Sequence, residues 1–336
     1  MPLADLPLAA TTSSLDVSSS MWVGLGVLVV VMLAIDLFVF GRGHHTPSVK
    51  SSAIWSVVWL LVALAFGGVL WVTEGSGPGG EYLAGYLLER SLSLDNLFIF
   101  AVILSYFAVP ADVQPKVLGW GIVLALGLRL IFILLGAALL DQFHVTFYVF
   151  GVLLVYTAWK LARHDTEDID PAKNPALKLL RKRVPITDDY HGERMVVREK
   201  GKRMATPLVA VFIVIATTDI IFAVDSIPAI FAVTQTAFIV FAANAFAMIG
   251  LRALYFLLVG VMDRFVYLSI GLAVILAFIG GKMLLIDLWH PPIWLSLLVI
   301  VVVLAATALL SLRADQKEIP PGPPPTDQPD QPAPAA

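Results

Sequence analysis

Residues 206–231 read TPLVAVFIVIATTDIIFAVDSIPAIF, an apolar run interrupted by two carboxylates, Asp219 and Asp225, and followed closely by a proline, Pro228. A bilayer core about 30 Å thick needs ~20 mainly apolar residues to be crossed as a helix. Buried strands end after about 4–8 residues, so a run this long predicts a helix. Eight more runs flank it, at roughly 21–40, 52–72, 82–107, 115–139, 145–161, 236–258, 264–286 and 292–312. The reading is an all-α, polytopic membrane helix bundle of about nine transmembrane helices.

Composition agrees. Of 336 residues, 59% are hydrophobic and 14% charged, with mean hydropathy +0.87. Soluble domains carry about 25% charged residues, so an ordinary soluble enzyme is excluded. The lipid bilayer is the first partner. A net charge of -3 gives no reason to expect nucleic acid. The absence of cysteine excludes disulfides, thiolate metal sites and cysteine nucleophiles.

Basic residues set the expected orientation, because cytoplasmic loops collect Lys and Arg. With the N-terminus outside and the C-terminus cytoplasmic, every basic residue except Arg90, Arg129, Arg252 and Lys282 falls in or at the edge of an inside loop. Residues 1–20 then form an extracytoplasmic segment and 21–312 the transmembrane domain. Residues 162–205 form a cytoplasmic loop of mixed charge, and 313–336 a disordered, proline-rich cytoplasmic tail. The loop reads as a solvated linker that also fixes topology, and as the surface open to a protein partner. The first helix does not read as a cleavable signal peptide: nothing basic precedes it, and it ends in Asp36-Leu37-Phe38-Val39-Phe40-Gly41-Arg42.

An internal repeat organises the middle of the chain. Repeat one, about 82–161, holds Asp95, then Gly127-Leu128-Arg129, then Tyr148, Gly151 and Lys160. Repeat two, about 206–286, holds Asp219 and Asp225, then Gly250-Leu251-Arg252, then Tyr267, Gly271 and Lys282. Each unit has three helices, so the second enters from the opposite side. This is an inverted three-plus-three repeat, a plan that places transporter sites near the midplane. Two registers are open, one matching Asp95 to Asp219 and the other to Asp225.

Carboxylates at the bilayer centre cost roughly 2.5–3.5 kcal/mol each on insertion scales and mark function by default. Glu89, Asp95, Asp219 and Asp225 give four negatives, and Arg129 and Arg252 give two positives. The balance suits one divalent cation. The available ligands are all oxygen, including Asn96, Asn244 and Ser226, which favours Mg, Ca or Mn. Glu89, Ser93 and Asn96 share one helical stripe at i, i+4 and i+7. Asp219 and Asp225 are six apart and point about 240° from each other in an ideal helix. Pro228 removes a donor to the Val224 carbonyl, and a helix break there would bring both aspartates to one site. Arg129 and Arg252 are expected to tune charge or gate. Asp36 lies about a turn from the cytoplasmic end of its helix, where it reaches either water or a partner. The competing reading for all these acids is that they only pair with Arg90, Arg129, Arg252 and Lys282 to hold the bundle together.

Two stretches carry a specific likeness. Glu89-Arg90-Ser91-Leu92-Ser93-Leu94-Asp95-Asn96-Leu97-Phe98 is the first. The second is Thr218-Asp219-Ile220-Ile221-Phe222-Ala223-Val224-Asp225-Ser226-Ile227-Pro228-Ala229, continuing through Asn244 to Gly250-Leu251-Arg252. From about residue 21 to 312 the chain resembles the TerC family of bacterial integral membrane proteins. The family is named for tellurite resistance. The resemblance implies manganese efflux across the bacterial cytoplasmic membrane, with the metal as cargo and no permanently bound cofactor. Ala242 and Ala243 stand where the family commonly has hydroxyl residues, and Gln235-Thr236 where an acidic residue and a proline are common.

The expected function is therefore Mn²⁺ export through a midplane carboxylate site, with proton coupling as a hypothesis. Asp95 with Asp225 or Asp219 would hold the metal, and Glu89 and Asn96 would complete or gate the site. The alternative is a non-transporting membrane partner in envelope or tellurite stress, or in metal loading of exported proteins. An enzyme is not expected, since no Gly-x-Gly-Asp motif of an intramembrane aspartyl protease is present. The sequence carries no signal for oligomeric state.

Overall fold

A computed structural model describes residues 15–41, 47–163, 174–187, 189–199, 202–259, 267–288 and 291–315. Along the chain these residues form α1 (Ser19–Gly41), α2 (Val49–Thr73), α3 (Ser76–Tyr106), α4 (Gln114–Gln142) and α5 (Val145–Ala162). There follow α6 (Pro175–Arg183), β1 (Val196–Glu199), β2 (Lys202–Ala205), α7 (Pro207–Phe231), α8 (Ala237–Ile249), α9 (Leu251–Leu258), α10 (Leu268–Leu284) and α11 (Ile293–Asp315).

The boundaries follow local chemistry. Pro115, Pro175 and Pro207 sit in the first turns of α4, α6 and α7, where a missing N–H costs nothing. Ser48 accepts from the Ser51 amide at the start of α2. Between α2 and α3 the chain reverses through Gly75 at φ +96°, a conformation that favours glycine.

Among the described residues, seven helical stretches are long and apolar enough to cross a membrane: α1, α2, α4, α5, α7, the α8–α9 pair and α11. Two expected spans differ in character. The 31-residue α3 is long enough but carries Glu81, Glu89, Arg90 and Asp95, and the 17-residue α10 is shorter than the rest. The burial pattern is that of a protein in lipid. Val23, Ile54, Leu61, Ile131, Val152 and Val302 face outward, while Glu89, Arg129, Asp219, Asn244 and Arg252 lie in the interior at 0–1% exposure.

The α8–α9 stretch is 89% buried and forms the centre of the bundle, whereas α11, at 17%, lies on its periphery. Around that centre α3 packs against α8, α2, α11 and α7, and α4 packs against both α7 and α8. α5 and α10 form the most extensive pair. They cross at two glycines, where an added Cβ would lie 3.1 Å (from Gly151) and 3.0 Å (from Gly280) from the other's carbonyl oxygen.

The segment expected as a solvated linker is folded where it is described. In α6, Asn174 accepts from the Ala176 and Leu177 amides through Oδ1 and donates through Nδ2 to Thr217 of α7 at 2.7 Å. Leu177 is buried beneath it. β1 and β2 pair antiparallel with Val197 opposite Met204. The Tyr190 hydroxyl donates to the Phe107 carbonyl at the end of α3 (2.7 Å). Partial burial pushes that phenol up from its usual value. Residues 164–173, the first fourteen residues and the proline-rich tail from 316 onward lie outside the described residues, as do His44 and His45.

Candidate functional site

The interior charges gather on Arg129, near the middle of α4. Its Nη1 donates to Glu89 Oε1 on α3, and its Nη2 lies 3.1 Å from Asp219 Oδ1 on α7. Nε also reaches Asp219, at 3.3 Å. The same Nη1 lies 3.2 Å from Asn244 Oδ1 on α8 and 3.4 Å from Ser226 Oγ on α7. Ser93 donates to Glu89 Oε1 from the next turn of α3 (3.3 Å). Four helices thus meet at one guanidinium. Among the described residues, Glu89 Oε2 and Asn244 Nδ2 have no hydrogen-bond partner although both are buried.

The predicted stripe of Glu89, Ser93 and Asn96 holds, with all three buried on one face of α3. The side chain of Asp95 lies outside the described residues. Asp225 is not brought to Arg129. It faces α5, where Thr157 donates to Oδ1 at 2.9 Å and Lys160 is the nearby positive charge. The expected break at Pro228 is absent: α7 continues through it to Phe231. Losing one donor does not unwind a helix whose surrounding turns, from Ser226 to Phe231, are all buried against neighbours. With α7 intact, the two aspartates keep their helical separation and serve different surroundings.

Among the described residues, no group of three or more His, Cys, Asp or Glu is placed to hold a metal ion. Among the described residues the centre holds two carboxylates and one guanidinium, a balance of minus one in which the Asp95 side chain is not included. Such an arrangement keeps a cation between two acids, using the protein's own cation. Ala242 and Ala243 are fully buried in α8 beside Asn244 and supply no hydroxyl.

The other flagged residues form two further clusters. Arg252 lies 2.6 Å from Asp36 Oδ2, and both are buried, so Asp36 meets a partner and not water. Lys282 lies 3.4 Å from Ser296 Oγ with Glu81 as the nearby negative charge, and Thr234 donates to Glu81 Oε2 at 2.5 Å. Sequence reasoning passed over Glu81, Thr157 and Thr234. Lys160 and Lys282 were the available signals, since a membrane lysine demands a partner near it.

The sequence profile of the integral membrane protein TerC family matches residues 74–318. The chain belongs to the TerC family. This TerC-family protein is 43% identical over 295 residues to "Uncharacterized membrane protein STKORF319" of Myxococcus xanthus, covering 88% of this chain and 92% of the relative. It is 44% identical over 300 residues to "Putative membrane-bound redox modulator Alx" of Escherichia coli (strain K12), covering 87% of this chain and 94% of the relative. A third TerC-family relative, "Uncharacterized membrane protein Mb2742" of Mycobacterium bovis, is 44% identical over 272 residues, 80% of this chain and 68% of the relative. No solved structure matches. The protein is a multi-pass membrane protein with bacterial relatives.

Proposed function

We propose that this protein exports a divalent cation, manganese first, across the bacterial cytoplasmic membrane. The observation that carries the reading is the buried Glu89–Arg129–Asp219 centre. Two carboxylates from different helices converge on one tethered cation, at 0–1% exposure and at the midpoints of α4 and α7. Buried ions are expensive, and removing one partner of such a set costs about 3–5 kcal/mol. A purely structural role is better served by apolar packing, whereas a site that trades one cation for another needs these charges. All the nearby donors are oxygens, the ligand set of hard divalent ions.

The proposed architecture is nine crossings with the N-terminus outside and an inverted repeat of α3–α4–α5 and α7–α8–α10. The packing supports it. α3 on α8 answers α4 on α7, while α3 with α7, α4 with α8 and α5 with α10 each join counterparts. A pseudo-two-fold axis through the centre yields that set of neighbours. In this reading Arg129 holds the empty site, and cargo displaces it from Glu89 and Asp219. Asp225 with Thr157 forms a separate station on the α5 side. Proton coupling remains part of the proposal, tested by proton movement accompanying Mn²⁺ in proteoliposomes. The redox role in the name of the Escherichia coli relative has no thiol to rest on here, since these 336 residues contain no cysteine.

The test is Mn²⁺ uptake into inside-out vesicles. Uptake by wild type that is lost in Glu89→Gln and Asp219→Asn, at unchanged protein level, is the expected result. Uptake retained in both variants would return these acids to a scaffold role. No wild-type uptake of Mn²⁺, Ca²⁺ or Mg²⁺ would favour a non-transporting membrane partner acting through residues 162–205.

A further inference from the structure

A second buried guanidinium sits apart from the centre. α3 and α8 run parallel: Gly85 packs against Ala243, and Arg90 Nη1 donates to the Ala247 carbonyl at 2.8 Å. Beyond Asn244 of α8, which touches Arg129, Arg252 comes eight residues later at the start of α9, about 12 Å on at the helical rise. Its Nη2 donates to the Asp36 carbonyl and lies 2.6 Å from Asp36 Oδ2, and its Nη1 donates to the Pro115 carbonyl at 3.1 Å. Two main-chain oxygens and a carboxylate, drawn from α1 and the start of α4, therefore hold it.

Three observations separate this cluster from an ordinary structural ion pair. Asp36 is 2% exposed, yet among the described residues its Oδ1 finds no well-formed hydrogen bond, the Trp59 indole being the donor beside it. A purely structural pair would satisfy both oxygens, because an orphaned buried acceptor costs about 1–3 kcal/mol. Ser52, Ser56 and Trp59 occupy one buried stripe of α2 at i, i+4 and i+7, and the Trp59 indole lies beside the Asp36 carboxylate. Among the described residues both seryl hydroxyls on that stripe are also buried without partners. Finally, Gly119 leaves the guanidinium its space: a Cβ there would lie 2.6 Å from Arg252 Nη1.

We infer that Asp36, with the main-chain oxygens of Asp36 and Pro115, is a second divalent-cation station, plugged in this structure by the Arg252 guanidinium. The inference rests on the export reading above and extends it. All the donors are oxygens, as hard divalent cations require. The station lies on the side toward which α8 runs, the cytoplasmic side in the proposed orientation, and so precedes the centre on the export route. The Ser52 and Ser56 hydroxyls line the approach along α2. When Arg252 withdraws, the carboxylate and carbonyls are left to the incoming ion.

The test uses the full chain in lipid nanodiscs, with Mn²⁺ as probe and free Mn²⁺ counted by electron paramagnetic resonance. Arg252→Ala is expected to bind one more Mn²⁺ per chain than wild type, and Asp36→Asn in that background to lose it. Equal binding by Arg252→Ala and wild type overturns the station, as does an extra ion that survives Asp36→Asn. A second measurement leaves Arg252 in place and raises Mn²⁺ above the range of the binding experiment, until the ion displaces the guanidinium. The chain has no cysteine, so Ser56→Cys creates a single thiol. Mn²⁺ is expected to slow its modification by a methanethiosulfonate reagent several-fold, and to lose that effect when Asp36→Asn is added. Identical rates with and without Mn²⁺ overturn the proposal. Glu89→Gln separates the two readings, since it should abolish flux and leave thiol protection intact. Thiol protection in Ser56→Cys, together with no Mn²⁺ flux by the wild-type protein, would end the export reading and leave the station standing.

Discussion

The guanidinium of Arg129 joins Glu89 on α3 to Asp219 on α7, with Asp219 taking both Nε and Nη2 while Glu89 shares Nη1 with Ser226 and Asn244. The two acids are not equivalent: Asp219 is held by a fork, and Glu89 keeps one oxygen unpartnered among the described residues.

That inequality has a consequence for mutants. Arg129→Met leaves two buried carboxylates facing each other and should destabilise the fold by about 3–5 kcal/mol. Glu89→Gln keeps a neutral Glu-shaped group against Nη1 and should cost far less. Thermal unfolding of the purified proteins in detergent should show a large drop in Tm for the arginine variant and a small one for the glutamine variant, although both lose Mn²⁺ flux.

Asp225 should behave as a partner of Thr157 and not of Arg129. A double-mutant cycle of Asp225→Asn with Thr157→Val should show coupling of about 1 kcal/mol in stability, the size of one hydrogen bond. The same cycle with Glu89→Gln should be additive. Strong coupling between Asp225 and Glu89 would place both acids at one site.

The α5–α10 crossing depends on two glycines. In Gly280→Ala the new methyl meets Val155 Cγ2 at 2.9 Å and the Gly151 carbonyl oxygen at 3.0 Å, and the carbonyl cannot move without its helix. Overpacking of this kind costs about 1–3 kcal/mol. A lower Tm is expected, whereas Gly281→Ala, which meets nothing within 4 Å, should be tolerated.

Docking of the segment between α6 and α7 should respond to Tyr190. Tyr190→Phe removes the bond to the Phe107 carbonyl, worth about 1 kcal/mol, and should speed limited proteolysis between 184 and 206 several-fold. Because burial raises the phenol above its unfolded value of about 10, the docked form is fully favoured at neutral pH. It loses that advantage only as the pH rises through and beyond about 10. Proteolysis of wild type should therefore be flat from about pH 6 to 9 and rise above that range.

The helical period made much of this legible. Glu89, Ser93 and Asn96 share a face because 3.6 residues make a turn, and the same arithmetic set Asp219 and Asp225 apart. Pro228 misled, because one absent N–H is a local loss while packing around it is collective. The α6–hairpin segment read as solvated because its charges are real. What docks it is a handful of contacts, such as Asn174 to Thr217, that no local pattern announces. The pairing of Asp36 with Arg252 spans 216 positions and joins α1 to α9. Only the folded chain brings those two together.

Arg129 has one further consequence if cargo and guanidinium compete for the same acids. A tethered competitor is present at a fixed, high effective concentration that no change in the cell can dilute. An ion then occupies the centre only when its own concentration rises high enough to win. The arginine would act as a set point: the pathway rests at ordinary metal levels and engages in surplus, with the threshold written into a covalently attached side chain.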